Sequence, residues 1–480
     1  MEISFKNTKE FELNNLAATI CFPSGIKVCY SEKEPIAIKD YVTPITNQKG
    51  ERYYMMTYHF YYKIMNSDYD VKYEMHPLKH HLRYFGDAYL MLSEEEFDEK
   101  ITKKIQENLD ICQELGFREY VYVPFCLCII SKYPYSNEMS KCLQCIYNIM
   151  FEDNLINKNK LNLKMNDVIM HLIHSVPIPT EKNTQVNFYL PFNENNISIK
   201  CPKVDEINIM NINYISLINL FSIDIIVKIL RLMLSEKKIL FIDDDYSRLT
   251  EVTDAFTSLL YPFKWIHTYI PIMSDQMLRY LETFLPFLNG IHSSLIPLIS
   301  KQFSEGELDN EEEIFLIYIK LNKIKLGSTL NVNRKTKVHK TKYIQTNVIP
   351  LPYNIEKKLK KNLDDIKYNY DSAIKSKKDV NNFNKENKEK TTEYNVKIRE
   401  TFIEMFAQLF ADYPKYICLL DIDVVFNKNL FMNTLKPEDK RFYDEFIDSQ
   451  LFQQFTQNIF SDDFNYFNKT IISLSHKTEE

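Results

Sequence analysis

Glycine is scarce in this chain, with only seven residues among 480. They lie too far apart in sequence to form the glycine-rich loops of dinucleotide-binding folds or of P-loop nucleotidases, in which closely spaced glycines let the backbone approach a phosphate. Tryptophan is rarer still, because Trp265 is the only one. The sequence therefore predicts no nucleotide site built on a glycine-rich loop.

An excess of one charge and an unbroken apolar run are also missing. The formal net charge is −6, which favours neither nucleic acid nor a membrane as a partner of the whole molecule. The most apolar window, 215–234, contains Asp224, Lys228 and Arg231, each of which would cost about 2.5–3.5 kcal/mol at the centre of a bilayer. We expect core helices in this window, no nucleic-acid binding, and no signal peptide at the N-terminus.

The nine cysteines follow no disulfide framework. Their odd number and their positions inside apolar runs indicate reduced thiols in a cytoplasmic protein. Cys142 and Cys145 form a single CxxC motif, whereas a zinc ribbon needs a second pair. His171 and His174 form an HxxH motif without an acidic or cysteine partner nearby. The sequence predicts no metal site and no cofactor.

The most informative stretch is 230–291, which contains two apolar runs of strand length, Lys238 to Ile242 and Trp265 to Ile272. The apolar residues between them recur at helical spacing, which predicts a strand, a helix and a strand. Runs that are apolar on both faces are typical of parallel strands covered by helices. Aromatic runs nearer the N-terminus, 53–64 and 119–131, predict antiparallel strands instead.

An acidic run follows the first of these central strands. Open α/β sheets carry their binding sites at the carboxyl ends of strands, so four residues here are candidates for contact with a partner: Asp243, Asp244, Asp245 and Ser247. The negative charge of the three aspartates would repel a phosphate. The alternative is an ordinary solvated loop or a helix cap.

The C-terminal part changes character twice. Residues 331–398 contain seventeen Lys and Arg against eight Asp and Glu, a local net charge of +9, and few apolar residues to offset the entropy of ordering. We therefore predict a basic insertion or flexible linker. Its charge suits contact with anionic lipid headgroups or with an acidic partner, and the alternative is an ordinary solvated loop. From Arg399 onward, apolar residues at helical spacing (Phe402, Phe406 and Phe410) predict packed helices.

A series of different short motifs runs along the chain in a fixed order. The N-terminal part contains CFPSG, MMTYHFYY and YVPFCLCIISKYPY; the central part contains VPIP, LMLSEKKILF, LLYPFKWIHTYIPI and LPFLNGI; the C-terminal part contains FAQLFADYPKYI, FNKNLF and FYDEFIDSQLFQQF. Together they resemble the upstream, central and downstream modules of the tripartite DENN-domain family. We expect a structural role for the motif residues, since Trp and Tyr in apolar runs are usually core: Pro23, Gly25, Pro124, Pro177, Pro179, Glu236, Tyr261, Pro262, Trp265, Pro271, Pro286 and Gly290.

The resemblance implies an α/β fold, α+β in overall arrangement. An N-terminal longin-like lobe has an antiparallel sheet, and a C-terminal α/β lobe has a covered sheet that the last helices complete. The corresponding boundaries are 1–165 for the upstream module with a polar insertion at 66–116, 166–330 for the central module, 331–398 for the basic insertion, 399–466 for the downstream helices, and 467–480 for a tail.

The function that the resemblance implies is guanine nucleotide exchange on a Rab-type small GTPase. Such a factor binds the switch regions of the GDP-bound or nucleotide-free GTPase, here in a groove between the lobes, and needs no catalytic side chain of its own. One alternative is a non-catalytic effector or scaffold for a Rab. Another is a GTPase-activating protein with an arginine finger, for which Arg52, Arg83 and Arg118 are candidates. The implied location is cytoplasmic, with peripheral recruitment to vesicle or endosomal membranes.

Overall fold

The computed structural model describes residues 19–24, 29–31, 33–46, 52–64, 120–133, 135–150, 164, 167–177, 179, 184–192, 196–200, 212–305, 313–326, 348–375, 383–420, 423–459 and 464–479. Gly25 and the predicted polar insertion 66–116 lie outside these residues. The chain divides into two compact units. The first comprises Met1–Cys201, Asp245–Ser247 and Ile272–Met277, and the second comprises the rest. The boundary predicted at 165 thus falls inside the first unit.

The first unit contains a four-stranded antiparallel sheet in the order β1-β4-β3-β2. Its strands are β1 (Cys29–Ser31), β2 (Val42–Thr46), β3 (Arg52–Ile64) and β4 (Tyr120–Ser131). Aromatic residues favour the extended backbone of β3, which pairs with β4 from Tyr54 opposite Ser131 to Ile64 opposite Val121. The antiparallel sheet predicted for this part of the chain is confirmed.

Smaller elements complete the first unit. Helix α1 (Ser136–Met150) packs on β3 and β4. It buries Met139, Leu143 and Ile146, which share one helical face. A π-helical turn (His171–Ser175) precedes an antiparallel hairpin of β5 (Gln185–Tyr189) and β6 (Asn196–Lys200).

The second unit is built on a five-stranded sheet in the order β11-β10-β7-β9-β8. Its strands are β7 (Lys238–Asp243), β8 (Thr268–Met273), β9 (Phe287–His292), β10 (Ile314–Tyr318) and β11 (Lys323–Leu326). The central strand β7 runs parallel to β9 and β10, and every one of its residues is buried. The covered α/β sheet predicted from the apolar runs is confirmed.

Helices flank this sheet. The apolar window at 215–234 forms α2 (Tyr214–Leu220) and α3 (Ile223–Leu234), and most of their apolar side chains are buried. Helix α4 (Tyr246–Leu259) lies between β7 and β8 in sequence, and α5 (Ile296–Glu305) follows β9. Short 3-10 helices occur at Asp275–Glu282, Ser293–Leu295 and Tyr413–Tyr416. No helix in the described ranges is long and apolar enough to span a membrane.

The prediction of a flexible linker at 331–398 is wrong over two long stretches. Residues 353–375 form α6 (Tyr353–Lys375), and residues 383–398 form the first part of α7 (Phe383–Leu409). The two helices pack on each other, and they also contact α3 and α2 respectively. Leu359 and Leu363, one helical turn apart, are buried. A few apolar residues suffice because tertiary packing, rather than local composition, stabilises a helix.

The last elements include helices in the range predicted for them, 399–466, whereas residues 467–479 of the predicted tail are also helical. Beyond α7, a hairpin of β12 (Ile417–Leu420) and β13 (Asp423–Phe426) precedes α8 (Lys428–Thr434), α9 (Lys440–Ile447), α10 (Gln450–Gln457) and α11 (Asn465–Glu479). Aromatic side chains from α7 onward surround Phe263, whose ring is almost fully buried. The core of the second unit therefore combines sheet residues with residues from the C-terminal helices.

Candidate functional site

The carboxyl edge of the parallel sheet in the second unit gathers polar side chains. Strand β7 ends at Asp243, and its parallel neighbours β9 and β10 end at His292 and Tyr318. Because these strands are parallel, the residues that follow them meet at one edge. We call this group the edge cluster: Asp243, Asp244, Arg248, His292, Ser294 and Lys320.

Asp243 is the buried anchor of the edge cluster, and its side chain is inaccessible to solvent. Arg248, in the first turns of α4, donates from Nε to Asp243 Oδ2 at 3.0 Å and from Nη2 to Asp243 Oδ1. Paired donation from one guanidinium satisfies both carboxylate oxygens, which is what a buried charge requires. Asp243 is therefore committed to the fold and is not available to a partner.

Asp244 is the accessible acid of the edge cluster, with 44% of its side chain exposed. Lys320 Nζ lies 2.7 Å from Asp244 Oδ2, and Arg248 Nη2 lies 2.9 Å from Asp244 Oδ1. The hydrogen bond from Lys320, followed by the contact with Asp243, lowers the pKa of Asp244 to about 2. Asp244 thus carries its negative charge throughout the neutral range.

His292 connects β9 to the same edge. Its Nε2 lies 3.2 Å from the carbonyl oxygen of Asp244, which only accepts, so Nε2 carries the proton. Nδ1 then accepts from the backbone N–H of Ser294 at 3.2 Å, and Ser294 Oγ lies 2.8 Å from it. The edge cluster balances two carboxylates with two cations, which suits recognition of a surface rather than binding of a free phosphate.

The four predicted contact residues have different surroundings. Asp243 is buried and Asp244 is exposed at the edge, whereas Asp245 and Ser247 group with the first unit. In that unit Lys39 Nζ donates to Asp245 Oδ2 at 2.8 Å. His292 and Lys320 were missed, although the prediction of parallel strands would have directed attention to the residues that follow β9 and β10.

Most of the described motif residues lie in packed positions. Trp265 is buried, and its Nε1 donates to the carbonyl of Thr268 at 3.2 Å. The Tyr261–Pro262 peptide bond is cis. The buried prolines are Pro23, Pro179, Pro262 and Pro271, the partly buried ones are Pro124 and Pro286, and Pro177 is exposed. A structural role for the whole set stays a prediction.

The other candidate residues from the sequence lie outside the edge cluster. Cys142 and Cys145 are buried on α1 and neither is in a disulfide, and His171 and His174 lie in the π-helical turn. Within the described ranges, no group of three or more His, Cys, Asp or Glu side chains is placed to hold a metal ion. Of the three arginine-finger candidates, Arg52 begins β3 and is exposed, whereas Arg83 and Arg118 lie outside the described residues.

Glu236 links the start of β7 to the C-terminal helices of the second unit. Its backbone has a positive φ of 48°. Its Oε1 accepts from the N–H of Leu451 in the first turn of α10 at 2.9 Å and lies 3.1 Å from His267 Nε2. Burial alone would raise the pKa of Glu236. His267 and the backbone amides of Leu451 and Gln450 lower it by more than burial raises it, so the net pKa lies below the ordinary value of 4.5.

We expect Glu236→Gln to reduce the free energy of unfolding by about 1–2 kcal/mol at neutral pH, because the amide keeps the shape but loses the charge. A carboxylate with a lowered folded pKa stabilises above its unfolded pKa and loses that contribution as pH falls through the folded pKa. The difference between variant and wild type should therefore disappear in acid. Urea unfolding from pH 7 to below pH 4 measures this difference.

Glu445→Gln provides the control for Glu236→Gln, since Glu445 makes only an exposed ion pair with Arg441. It is expected to change the free energy of unfolding by no more than about 0.5 kcal/mol. Equal losses in the two variants would contradict a special role for Glu236.

Comparison with known proteins identifies relatives of this chain. The family model for the DENN (AEX-3) domain matches residues 122–309. The chain is 27% identical to the DENN domain and WD repeat-containing protein SCD1 of Arabidopsis thaliana over 187 residues, which cover 39% of this chain and 15% of that protein. It is 22% identical to DENN domain-containing protein 3 of Mus musculus over 339 residues, which cover 70% of this chain and 24% of that protein.

Human DENN domain-containing protein 2A is also similar, at 30% identity over 132 residues, or 27% of this chain and 13% of that protein. The chain thus spans a quarter or less of the length of each of these relatives. The family match runs from β4 through α5, so it includes β7, β9 and most of the edge cluster.

Proposed function

Since this chain belongs to the DENN-domain family, we propose that it promotes the release of GDP from a Rab-type small GTPase. The observation that carries the proposal is the family match over 122–309, because DENN-domain proteins are generally exchange factors for Rab GTPases. The proposed setting is membrane trafficking, with the protein in the cytoplasm and recruited peripherally to vesicle or endosomal membranes.

Exchange of this kind needs a surface rather than a reacting side chain. A factor that binds the nucleotide-free GTPase more tightly than the GDP-bound form lowers the affinity for GDP, and GDP lowers the affinity for the factor equally. The edge cluster is suited to such binding. Asp244 and Lys320 expose 44% and 66% of their side chains, and the neighbouring Leu321 is 56% exposed.

Asp244 and Lys320 are therefore the proposed contact residues of the second unit. Charges at the rim of an interface steer association and fix its register. Asp243 has a different proposed role, because its ion pair with Arg248 holds the start of α4 against β7 and so positions Asp244. The nucleotide itself belongs to the GTPase, which agrees with the scarcity of glycine in this chain.

We expect catalytic amounts of the purified chain to accelerate the release of fluorescent GDP from at least one member of a Rab panel. Asp244→Arg should lower the stimulated rate about tenfold, equivalent to about 1.4 kcal/mol, because it reverses a charge at the proposed contact. Stopped-flow fluorescence measures the release rate, and circular dichroism checks that the variant folds.

Asp412→Arg is the matched control for this assay. Asp412 is also exposed and also pairs with a lysine, Lys415, at 2.6 Å, but it lies outside the edge cluster. Full activity of this variant beside a slow Asp244→Arg variant is the expected result. No acceleration with any Rab would overturn the proposed exchange activity, and equal loss in both variants would overturn the proposed contact.

The same proteins distinguish exchange from the other two functions. An exchange factor retains nucleotide-free Rab in a pull-down, whereas an effector prefers GTP-loaded Rab and leaves the release rate unchanged. Faster GTP hydrolysis by the Rab would indicate a GTPase-activating protein instead.

Membrane contact is proposed for α6 within the basic region 331–398. Lys357, Lys358 and Lys361 are exposed in its first half, and each lysine near an anionic surface contributes about 1 kcal/mol of attraction. Repeating the exchange assay with the Rab tethered to vesicles containing phosphatidylserine tests this contact. The rate should rise relative to neutral vesicles, and an equal rate on both would count against it.

A further inference from the structure

Three thiols and an imidazole meet on one face of the sheet in the first unit. Cys126 and Cys128 are two residues apart on β4, so their side chains share a face, and they lie opposite His59 and Thr57 of β3. Residues 19–21 are helical, and the Cys21 thiol lies close enough to Cys126 and Cys128 for both to raise its pKa. The carbonyl oxygen of Cys21 lies 3.0 Å from His59 Nε2. We call Cys21, Cys126, Cys128 and His59 the thiol cluster.

The thiol cluster is reduced and mostly closed to solvent. None of the three cysteines is in a disulfide. Cys21 and Cys126 are 1% and 0% exposed, whereas Cys128 is partly exposed. The cluster is therefore accessible to a small oxidant that reaches it past Cys128 but closed to a bulky disulfide.

His59 presents an unpartnered nitrogen in this buried setting. Its Nε2 lies 3.0 Å from the carbonyl oxygen of Cys21, so Nε2 carries the proton and donates it. In the neutral ring Nδ1 is then a bare acceptor, and it has no hydrogen-bond partner among the described residues. Asp40 Oδ1 is 3.9 Å away, too far for a hydrogen bond. A buried base of this kind next to a thiol is able to take its proton.

The charges around His59 favour that proton transfer. Burial lowers the pKa of His59, but Cys126 and then Asp40 raise it, to about 10. A cationic imidazole beside a thiol stabilises the thiolate, which is the nucleophilic form of cysteine. Cys21 behaves differently, because its hydrogen bonds to Cys126 and then to Cys128 raise its pKa well above the ordinary 9.0. Cys21 thus stays a thiol that donates to its neighbours.

Three thiols and a histidine are also the side chains that bind a metal ion such as zinc. Among the described residues, however, no three side chains of the ligating types are arranged to hold one. We propose that Cys126 and Cys21 form a peroxide-sensitive thiol pair, which hydrogen peroxide converts into a disulfide.

The reaction balances in two steps. The Cys126 thiolate attacks one oxygen of hydrogen peroxide, an S–O bond forms as the O–O bond breaks, and the departing hydroxide takes the proton held by His59 to become water. The imidazole of His59, left neutral by the first step, takes the proton of Cys21, and the resulting thiolate attacks the sulfur of the sulfenic acid. An S–S bond forms as the S–O bond breaks, and the departing hydroxide takes that proton back from His59 to become water. Two thiols lose two electrons, and one peroxide becomes two waters.

The chain contains its own comparison for this reaction. Cys142 and Cys145 are also buried and close in sequence, but the side chains that shift the pKa of Cys142 are Cys145, Glu138 and Lys141, and none of them is a histidine. Burial is the main cause that raises the pKa of Cys142 to about 12, so its thiolate is scarce at neutral pH. The two pairs should therefore differ strongly in their reactivity toward the same oxidant.

The test uses the full chain, reduced and then treated with about one equivalent of hydrogen peroxide, a dose that suffices for one disulfide. After remaining thiols are blocked with N-ethylmaleimide, mass spectrometry of a non-reducing digest should show peptides joined through Cys21 and Cys126. Dithiothreitol should separate them. Cys142 and Cys145 should carry the maleimide. This measurement needs no variant, so it does not depend on the folding of one.

Variants then test the role of His59. His59→Gln should slow formation of the disulfide about tenfold or more, because it removes the base and the cation beside Cys126. His171→Gln is the matched control, since His171 also belongs to the first unit and also has an unpartnered ring nitrogen among the described residues. It should leave the rate unchanged.

Several results would overturn the proposal. These are the absence of any link to Cys21, oxidation of Cys142 and Cys145 at the same dose or a lower one, and co-purification of one zinc ion per chain that shields the cluster. A link from Cys21 to Cys128 would overturn the assignment of Cys126 as the reactive thiol. Equal rates in the two histidine variants would overturn the role of His59.

Discussion

Replacement of Gly290 by alanine is expected to reduce the free energy of unfolding by about 3 kcal/mol or more, a large part of the 5–15 kcal/mol typical of a folded protein. Gly290 lies in β9, directly beside the edge strand β8. A methyl group at position 290 would overlap the backbone carbonyl oxygen of Pro271. A backbone atom inside a sheet cannot rotate away as a side chain does, so the strands would have to separate.

The single tryptophan makes this result directly measurable. Trp265 precedes β8 in the same unit, and it is the only tryptophan in the chain, so its fluorescence during urea unfolding reports on the affected sheet. Lys323→Ala, at an exposed position of β11, is the control and should change the free energy of unfolding by less than about 0.5 kcal/mol. An unchanged unfolding midpoint for Gly290→Ala would show that β8 and β9 do not approach this closely.

The second large effect is expected from Phe263→Ala, which should cost about 3–5 kcal/mol. The Phe263 ring follows α4 and inserts among rings of three C-terminal helices. Its centroid distances are 5.2 Å to Phe406 in α7, 5.6 Å to Phe410 directly after α7, 5.0 Å to Phe446 in α9, and 6.4 Å to Phe452 and 5.0 Å to Phe455 in α10. Alanine would leave a cavity bounded by these rings.

Phe284→Ala is the matched control for Phe263→Ala, because the Phe284 side chain is 88% exposed. The same chemical change there should alter the free energy of unfolding by less than about 0.5 kcal/mol. Thermal and urea unfolding followed by circular dichroism measure both variants. Equal losses, or a loss at Phe263 below about 1 kcal/mol, would contradict the packing described for its ring.

The sequence predicted those elements in which the buried residues form a regular apolar pattern within the element itself. Strand β7 was predicted within one residue of its end, because an apolar run that is buried on both faces leaves a continuous signal. The second half of α7 followed from Phe402, Phe406 and Phe410. Helix α6 was missed because Leu359 and Leu363 are few among many lysines, and the helices on which they pack lie far away in sequence.

The candidate site was predictable only in part for a related reason. The acidic run at 243–245 marked a strand end, and a strand end is a local feature. The pairing of Asp243 with Arg248, and of Asp244 with Lys320, depends on the direction and order of the strands. Because β9 lies between β7 and β8, and β10 on the other side of β7, residues distant in sequence complete the edge in a way that spacing alone does not reveal.

The aromatic packing around Phe263 also bears on where this protein can be divided. The family match ends at residue 309, yet the five rings that surround Phe263 all lie beyond that residue. The backbone N–H of Leu451 in α10, which donates to the Glu236 carboxylate, also lies beyond it. A fragment cut at the end of the match would expose Phe263 and leave the Glu236 carboxylate without that amide. The stretch that is recognisable by sequence is therefore shorter than the stretch that folds, and the downstream helices are part of the same cooperative core.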